Sequence, residues 1–373
     1  MTKNYVAHFS LKNSKYPHGV DKNKLITWLE KHLEIAKKQD AMFFPFFSNV
    51  YESYPQKIWY GLNVRPIRDI LKDYNIKNYK FIMNTTMELY STDKIDKSDC
   101  IFVNFFIVFT FMHSFRKNQK INETWNRESD KALFLMGKID KLNRLPLLYK
   151  LYKDNILDNV IYSLFVTKKR FENAHKMIPI PYDEYKSFVE KHQKKLDNPT
   201  FFNNGRTVPF SQGSSMANVL TNGFPFDEKL YQDSCLSIIA ETWFDKYMDS
   251  PLFITEKTYK PMINKHPFIM ACVPGALKYL NNLGFHTFEK YTLIKDYDDI
   301  DDDELRLESI VKNVKYFLEI KNEYADEIQK SVDHNFTHLN NLLEIELNKI
   351  QNLLDGIPNK IAIKNAWTLI KKM

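Results

Sequence analysis

Glycine, arginine and cysteine are all scarce in this chain of 373 residues: 9 glycines, 3 cysteines, and 8 arginines among 53 basic residues. With so little glycine there is no GxGxxG and no Walker loop; HExxH and GxSxG are missing as well. The chain thus gives no sign of a dinucleotide enzyme, an NTPase, a zinc protease or a serine hydrolase. Cys100, Cys235 and Cys272 are odd in number and far apart, with no CxxC or Cys/His metal spacing. That pattern gives no sign of a cysteine-based metal site, and it fits a reducing compartment. Long apolar runs are missing too. The longest, Ile101 to Met112, is too short to span a bilayer and contains Asn104. The N-terminal residues MTKNYVAHFSLKNSK hold no signal-peptide core. The expectation is a cytoplasmic protein without stable membrane insertion.

What the chain does have is apolar and aromatic mass, 44% and 14% of residues, which excludes disorder and gives room for two cores. The formal net charge of +7 permits an anionic partner such as a nucleotide, a nucleic acid or a membrane surface. A lysine-rich solvated surface reads the same way. Lys168-Lys169-Arg170 and the lysines from 191 to 195 fit either a basic path or a solvated helix face.

Short apolar runs alternate with helical patterns. Asp21 to Lys38 has helical periodicity, and KFIM at 80 to 83 reads as a strand. ALFLM at 132 to 136, Gly137, a polar loop and a helix beginning at Pro146 follow the order strand, turn, helix. VIYSLFV at 160 to 166, SIIA at 237 to 240 and PFIM at 267 to 270 read as further strands. The fold class expected is α/β with a doubly wound parallel sheet. The polar stretch 118 to 131 is the linker candidate. It separates an N-terminal domain, residues 1–125, from a C-terminal domain, residues 130–345. Residues 346–373 form a basic tail, expected to be a helix packing back on the N-terminal domain. The Asn-, Gly- and Ser-rich segment 197 to 222 suits a loop over a site.

The densest chemistry lies in FITEKTYKPMINKHPFIMACVPGALKYLNNLGFHTF, residues 253 to 288. A polar cluster of Thr255, Glu256, Lys257, Thr258 and Lys260 opens a helix ahead of an apolar strand. A lysine ammonium and helix N-terminal amides can hold a diphosphate and neutralise it as it leaves. A nearby carboxylate can accept hydrogen bonds from ribose hydroxyls. The same spacing also fits a capping box with Thr255 as N-cap. The acidic run Asp298 to Glu304 reads as support for a helix dipole rather than a metal-binding DxD site. His266 reads as a structural hydrogen-bonding group.

ITEKTYKP, HPFIMACVPG and LGFHTF together resemble the donor-binding signature of the α-1,3-fucosyltransferase superfamily, in its phage, large-virus and marine-bacterial form. GKIDKLNRLPLLYKL at 137 to 151 and DYDDIDDDELR at 296 to 306 resemble further segments of that family. The resemblance covers about residues 130 to 340. It implies a GT-B fold, two Rossmann-like domains facing across a cleft, with C-terminal helices. It also implies inverting transfer of a sugar from a GDP- or UDP-linked donor, with no DxD-bound metal and no other cofactor. In that reading Glu256 holds the donor ribose, and Lys257 and Arg144 pair with the diphosphate. Thr255 opens the helix, and Lys260 is a further phosphate partner or a structural charge. Glu241 contacts the sugar or holds the loop. Glu88 is the candidate general base from the N-terminal domain. The acceptor is a glycan or a hydroxymethylated base in viral DNA. The alternative class is a non-catalytic nucleic-acid- or partner-binding protein on a degenerate transferase fold.

Overall fold

The computed structural model describes residues 3–10, 22–48, 65–77, 79–84, 100–104, 107, 124–136, 143–164, 166, 171–172, 181–193, 228–244 and 252–354. By internal contacts the chain divides into two units. Unit 1 is Met1–Val108 with Glu344–Met373, and unit 2 is Phe109–Leu343.

Unit 1 carries four strands and two helices among its described residues, before the last described helix returns to it: β1 (Lys3–Ser10), α1 (Lys22–Lys38), β2 (Ala41–Ser48), α2 (Arg65–Asp73), β3 (Lys80–Asn84) and β4 (Cys100–Val103). All pairings are parallel, in the order β1-β2-β3-β4. Parallel neighbours joined by right-handed crossovers that always step the same way place their helices on one face. The core agrees: Leu25, Leu29 and Ala36 of α1 share a cluster with Ile67, Ile70 and Leu71 of α2, over Phe43 and Phe81. The described strands of this unit therefore show no reversal of strand order, unlike a doubly wound sheet.

Unit 2 does reverse. Its strands are β5 (Ala132–Phe134), β6 (Val160–Tyr162), β7 (Leu236–Ala240) and β8 (Phe268–Ala271), parallel throughout in the order β6-β5-β7-β8. Its helices are α3 (Arg144–Lys153), α4 (Tyr182–His192), α5 (Glu228–Gln232), α6 (Glu256–Ile263), α7 (Ala276–Asn282), α8 (Asp303–Ile320) and α9 (Ala325–Leu354). The split between the units falls within α9. LSIIA and FIMA are buried at every position, as parallel strands covered on both faces must be. The outer edge of β8 is closed by a side chain, because the Met270 amide donates to the Tyr297 hydroxyl at 3.1 Å.

The expected linker is bonded into unit 2 over its described residues, 124 to 131. Trp125 is buried and its indole N–H donates to the Cys235 carbonyl at 2.7 Å, while Ser129 Oγ donates to the Asp233 carbonyl at 2.8 Å. A tryptophan in a polar run was the signal against a free linker, because its large ring is stable only against a core. Cys235 and Cys272 are free and buried, and burial raises both thiols, Cys235 to about 12. No helix among the described residues is long and apolar enough to cross a membrane.

His266 sits at the opposite end of the β7–β8 pair from the strands' C-termini. Its Nε2 lies 2.8 Å from the Ser234 carbonyl, an oxygen that only accepts, so that nitrogen carries the proton and Nδ1 accepts from Ser237 Oγ at 2.8 Å. Burial lowers its pKa to about 4. The folded state thus keeps it neutral while an unfolded chain protonates it near 6.5, and its contribution is lost as pH falls from about 6.5 toward 4. We expect His266→Phe to cost about 2 kcal/mol at pH 7, from the unpaired Ser237 and Ser234 groups. The deficit should shrink on acidification, since the variant has no imidazole to charge. Urea unfolding at pH 7 and pH 5 checks this; a deficit that grows with acid would contradict it.

Candidate functional site

In a parallel sheet every strand ends at the same edge, and ligands bind where the strand order reverses. In unit 2 that point lies between β5 and β7, because β6 lies on one side of β5 and β7 on the other. The loops that leave β5, β7 and β8 lead into α3, α6 and α7, so three helices begin at this edge.

Three of these segments are tied together. Asn143, the residue before α3, is fully buried, and its Nδ2 donates to the carbonyls of Glu241 and Ala271, both at 3.1 Å. Arg144 is buried at the first position of α3 and donates from Nη2 to the Ala240 carbonyl at 3.4 Å. Glu241 directly follows β7. Its side chain has no exposed surface. Its Oε1 accepts from the Thr255 amide at 2.9 Å and from Thr258 Oγ1 at 2.7 Å. Its Oε2 accepts from Thr255 Oγ1 at 2.7 Å and lies 3.4 Å from Lys257 Nζ. A carboxylate in water-free surroundings is stable only when its lone pairs are satisfied in this way.

Glu241 thereby fixes the start of α6. Thr255 is extended, caps the helix with its side chain against the Lys257 amide, and also accepts from Lys257 Nζ at 2.7 Å. Lys257 is 28% exposed and lies 3.8 Å from Glu256. Lys260 is buried, and burial lowers its pKa while Glu256 partly offsets the effect. Of the three predicted phosphate-pairing cations, only Lys257 has appreciable exposed surface. The cluster of Glu241, Glu256, Lys257 and Lys260 carries no net formal charge, so an anion meets one partly exposed lysine at a helix start rather than a field of positive charge.

The structure thus brings Arg144, Glu241, Thr255, Glu256, Lys257 and Lys260 to one edge of one sheet. Glu88 lies outside the described residues. Glu241 is an anchor in this geometry: both oxygens are bonded within the protein, and it offers none to a sugar. Arg144 likewise points its guanidinium into the interior at Ala240 rather than presenting it at a surface. Sequence reasoning passed over two residues. Asn143 is one. The other is Arg306, buried beneath the loop after β7. It donates to the Phe244 carbonyl at 2.5 Å, lies over the Phe244 ring at 4.0 Å, and pairs with Asp303. Its signal was an arginine inside DDDELRLE, which reads as a solvated helix start. Asp298 in the same acidic run is buried and accepts from the Leu277 amide at 2.8 Å, at the start of α7. Asp302 is the N-cap of α8, bonded to the Leu305 amide. Among the described residues no group of three His, Cys, Asp or Glu side chains is placed to hold a metal ion.

No family model matches the chain, and no curated protein matches it. Among solved structures it is similar to a glycosyltransferase from Rickettsia africae ESF-5, at 10% identity over 94% of this chain and 99% of that one, with a TM-score of 0.38. A likeness that loose carries no functional argument.

Proposed function

We propose that the protein is a glycosyltransferase that moves a sugar from a nucleotide-linked donor to an acceptor hydroxyl. One observation carries the reading: loops from 143–144, 241 and 255–257 converge at the switch point of a parallel sheet and present a helix N-terminus and Lys257 there. That is the chemistry a leaving diphosphate needs. The motif resemblance at 253 to 288 supplies the donor class. The loose structural likeness is no part of the support.

In this proposal the acceptor oxygen attacks the anomeric carbon as the bond to the diphosphate breaks, with inversion. Lys257 and the α6 amides take the growing negative charge. Glu256 accepts from the ribose, and Glu241 keeps the helix start in place. Arg144 and Lys260 act from beneath, through position and field. Glu88 is the proposed base for the acceptor proton, in a GT-B arrangement of the two units. The acceptor is a glycan hydroxyl or a hydroxymethylated base.

The test is thermal stabilisation of wild type and Lys257→Ala by UDP-, GDP-, CMP- and dTDP-linked compounds. One nucleotide should raise the melting temperature of the wild type, by about 2.7 kcal/mol of stability at a hundredfold excess over its Kd. Lys257→Ala should weaken that binding about tenfold, the order of one charge-assisted contact. Silence across the whole panel would retire the transferase reading in favour of a binding protein without a nucleotide-sugar site.

A further inference from the structure

Sequence reasoning gives Asn143 no role, yet its side chain joins two strand ends beside the proposed site. The β7–β8 ladder ends at the pair Ala240 and Ala271, after which the Glu241 amide still bonds to the Ala271 carbonyl at 3.0 Å. Past that point the two strands part, and the carbonyls of Glu241 and Ala271 face a residue from neither strand. The two N–H groups of the Asn143 amide meet them, one each, both at 3.1 Å. These partners lie 98 and 128 residues away in sequence. The other end of the same amide is unusual: Asn143 Oδ1 is buried and has no hydrogen-bond partner among the described residues. A buried acceptor left unsatisfied is rare in native proteins and opposes stability, so the two donated bonds outweigh a defect that an apolar residue would not create.

We infer that Asn143 is a positioning residue for the proposed donor site, bolting the ends of β7 and β8 so that Glu241 presents the start of α6 to the ligand. The path is short. Asn143 holds the Glu241 backbone, and the Glu241 carboxylate holds the Thr255 amide, both threonine hydroxyls and Lys257. Each link is buried except Lys257, so a shift of the Glu241 backbone has no slack to absorb it before it reaches the lysine. The inference rests on the donor reading for its function, but the bolt itself is testable without any ligand.

The experiment compares Asn143→Asp and Asn143→Ser in the full-length chain. Asn143→Asp keeps the shape and removes both N–H donors; Asn143→Ser keeps one hydroxyl donor. Amide exchange read by mass spectrometry should speed up about tenfold in the 252–258 segment of the Asp variant, less in the Ser variant, and stay unchanged in α8. Affinity for the nucleotide found with the wild type should fall about tenfold, the lower end of what supporting residues contribute at metal sites. In a Lys257→Ala background the same change should cost clearly less affinity than in the wild type, because part of its effect runs through Lys257 and part through the start of α6. Faster exchange throughout unit 2 to the same degree, or affinity losses that simply add, would overturn the inference and reduce Asn143 to a general stabiliser. If the Asp variant does not fold, the Ser variant decides on the same readouts. If the wild type binds no nucleotide, the donor reading fails, and local exchange alone still upholds or refutes the bolt.

Discussion

Replacing Glu241 with alanine should lower the unfolding free energy of unit 2 by about 3–5 kcal/mol, the range expected when one member of a buried charged network is removed. The deletion leaves the Thr255 amide and the Thr255 and Thr258 hydroxyls without their shared acceptor in a place that water does not reach, and removes one partner of the partly exposed Lys257. Lys257→Ala should cost far less, about 1 kcal/mol, because the lysine is partly exposed and the carboxylate keeps its three other donors. The asymmetry is the informative result. A pair of partners in an ordinary ion pair would lose similar amounts, whereas an anchor and its cargo would not. Denaturant titration of both variants measures it. Equal losses would mean that Glu241 serves Lys257 alone and not the helix start.

The second large effect concerns pH. Burial raises the Asp298 carboxyl to about 7, against the opposing pull of the Leu277 amide. An unfolded aspartate titrates near 3.8. Between those values the folded state holds the extra proton, so stability falls as pH rises from about 4 to 7. Asp298→Asn keeps an acceptor for Leu277 and cannot ionise. Wild type and variant should therefore be nearly equal at about pH 3, and the variant should be more stable at pH 8 by as much as about 4 kcal/mol. Unfolding in urea at the two pH values tests it. A difference independent of pH would show that folding does not raise the Asp298 carboxyl, and a wild type that gains on the variant with rising pH would show a carboxylate stabilised in the fold. His266 works in the opposite sense over much of the same range, so the wild-type profile is flatter than either group alone would make it.

KFIM, ALFLM, SIIA and PFIM are strands where sequence reading places them, because short apolar runs bounded by turns have few other uses. β1 and β2 escaped it. KNYVAHFS mixes polar and apolar residues, and AMFFPFFS carries a proline that argues against a strand. The order of strands was beyond reach, since the reversal at β5 depends on which neighbour β7 chooses. At the site, residue identities were legible but their surroundings were not. Glu241 and Thr255 lie 14 residues apart, and nothing in that spacing states that the carboxylate faces inward. A lone asparagine such as Asn143 has no period and no motif, and its meaning comes only from two carbonyls about a hundred residues away.

The division of the chain also bears on how it is made. Unit 2 is one continuous stretch, whereas unit 1 draws on both ends of the chain. The buried Glu346 carboxylate near the end of α9 accepts from the Asn104 amide just after β4, at 2.9 Å. During synthesis the first strands leave the ribosome early, but their last partner emerges only after all of unit 2. The segment translated second can complete its fold first, and the segment translated first is the last to close.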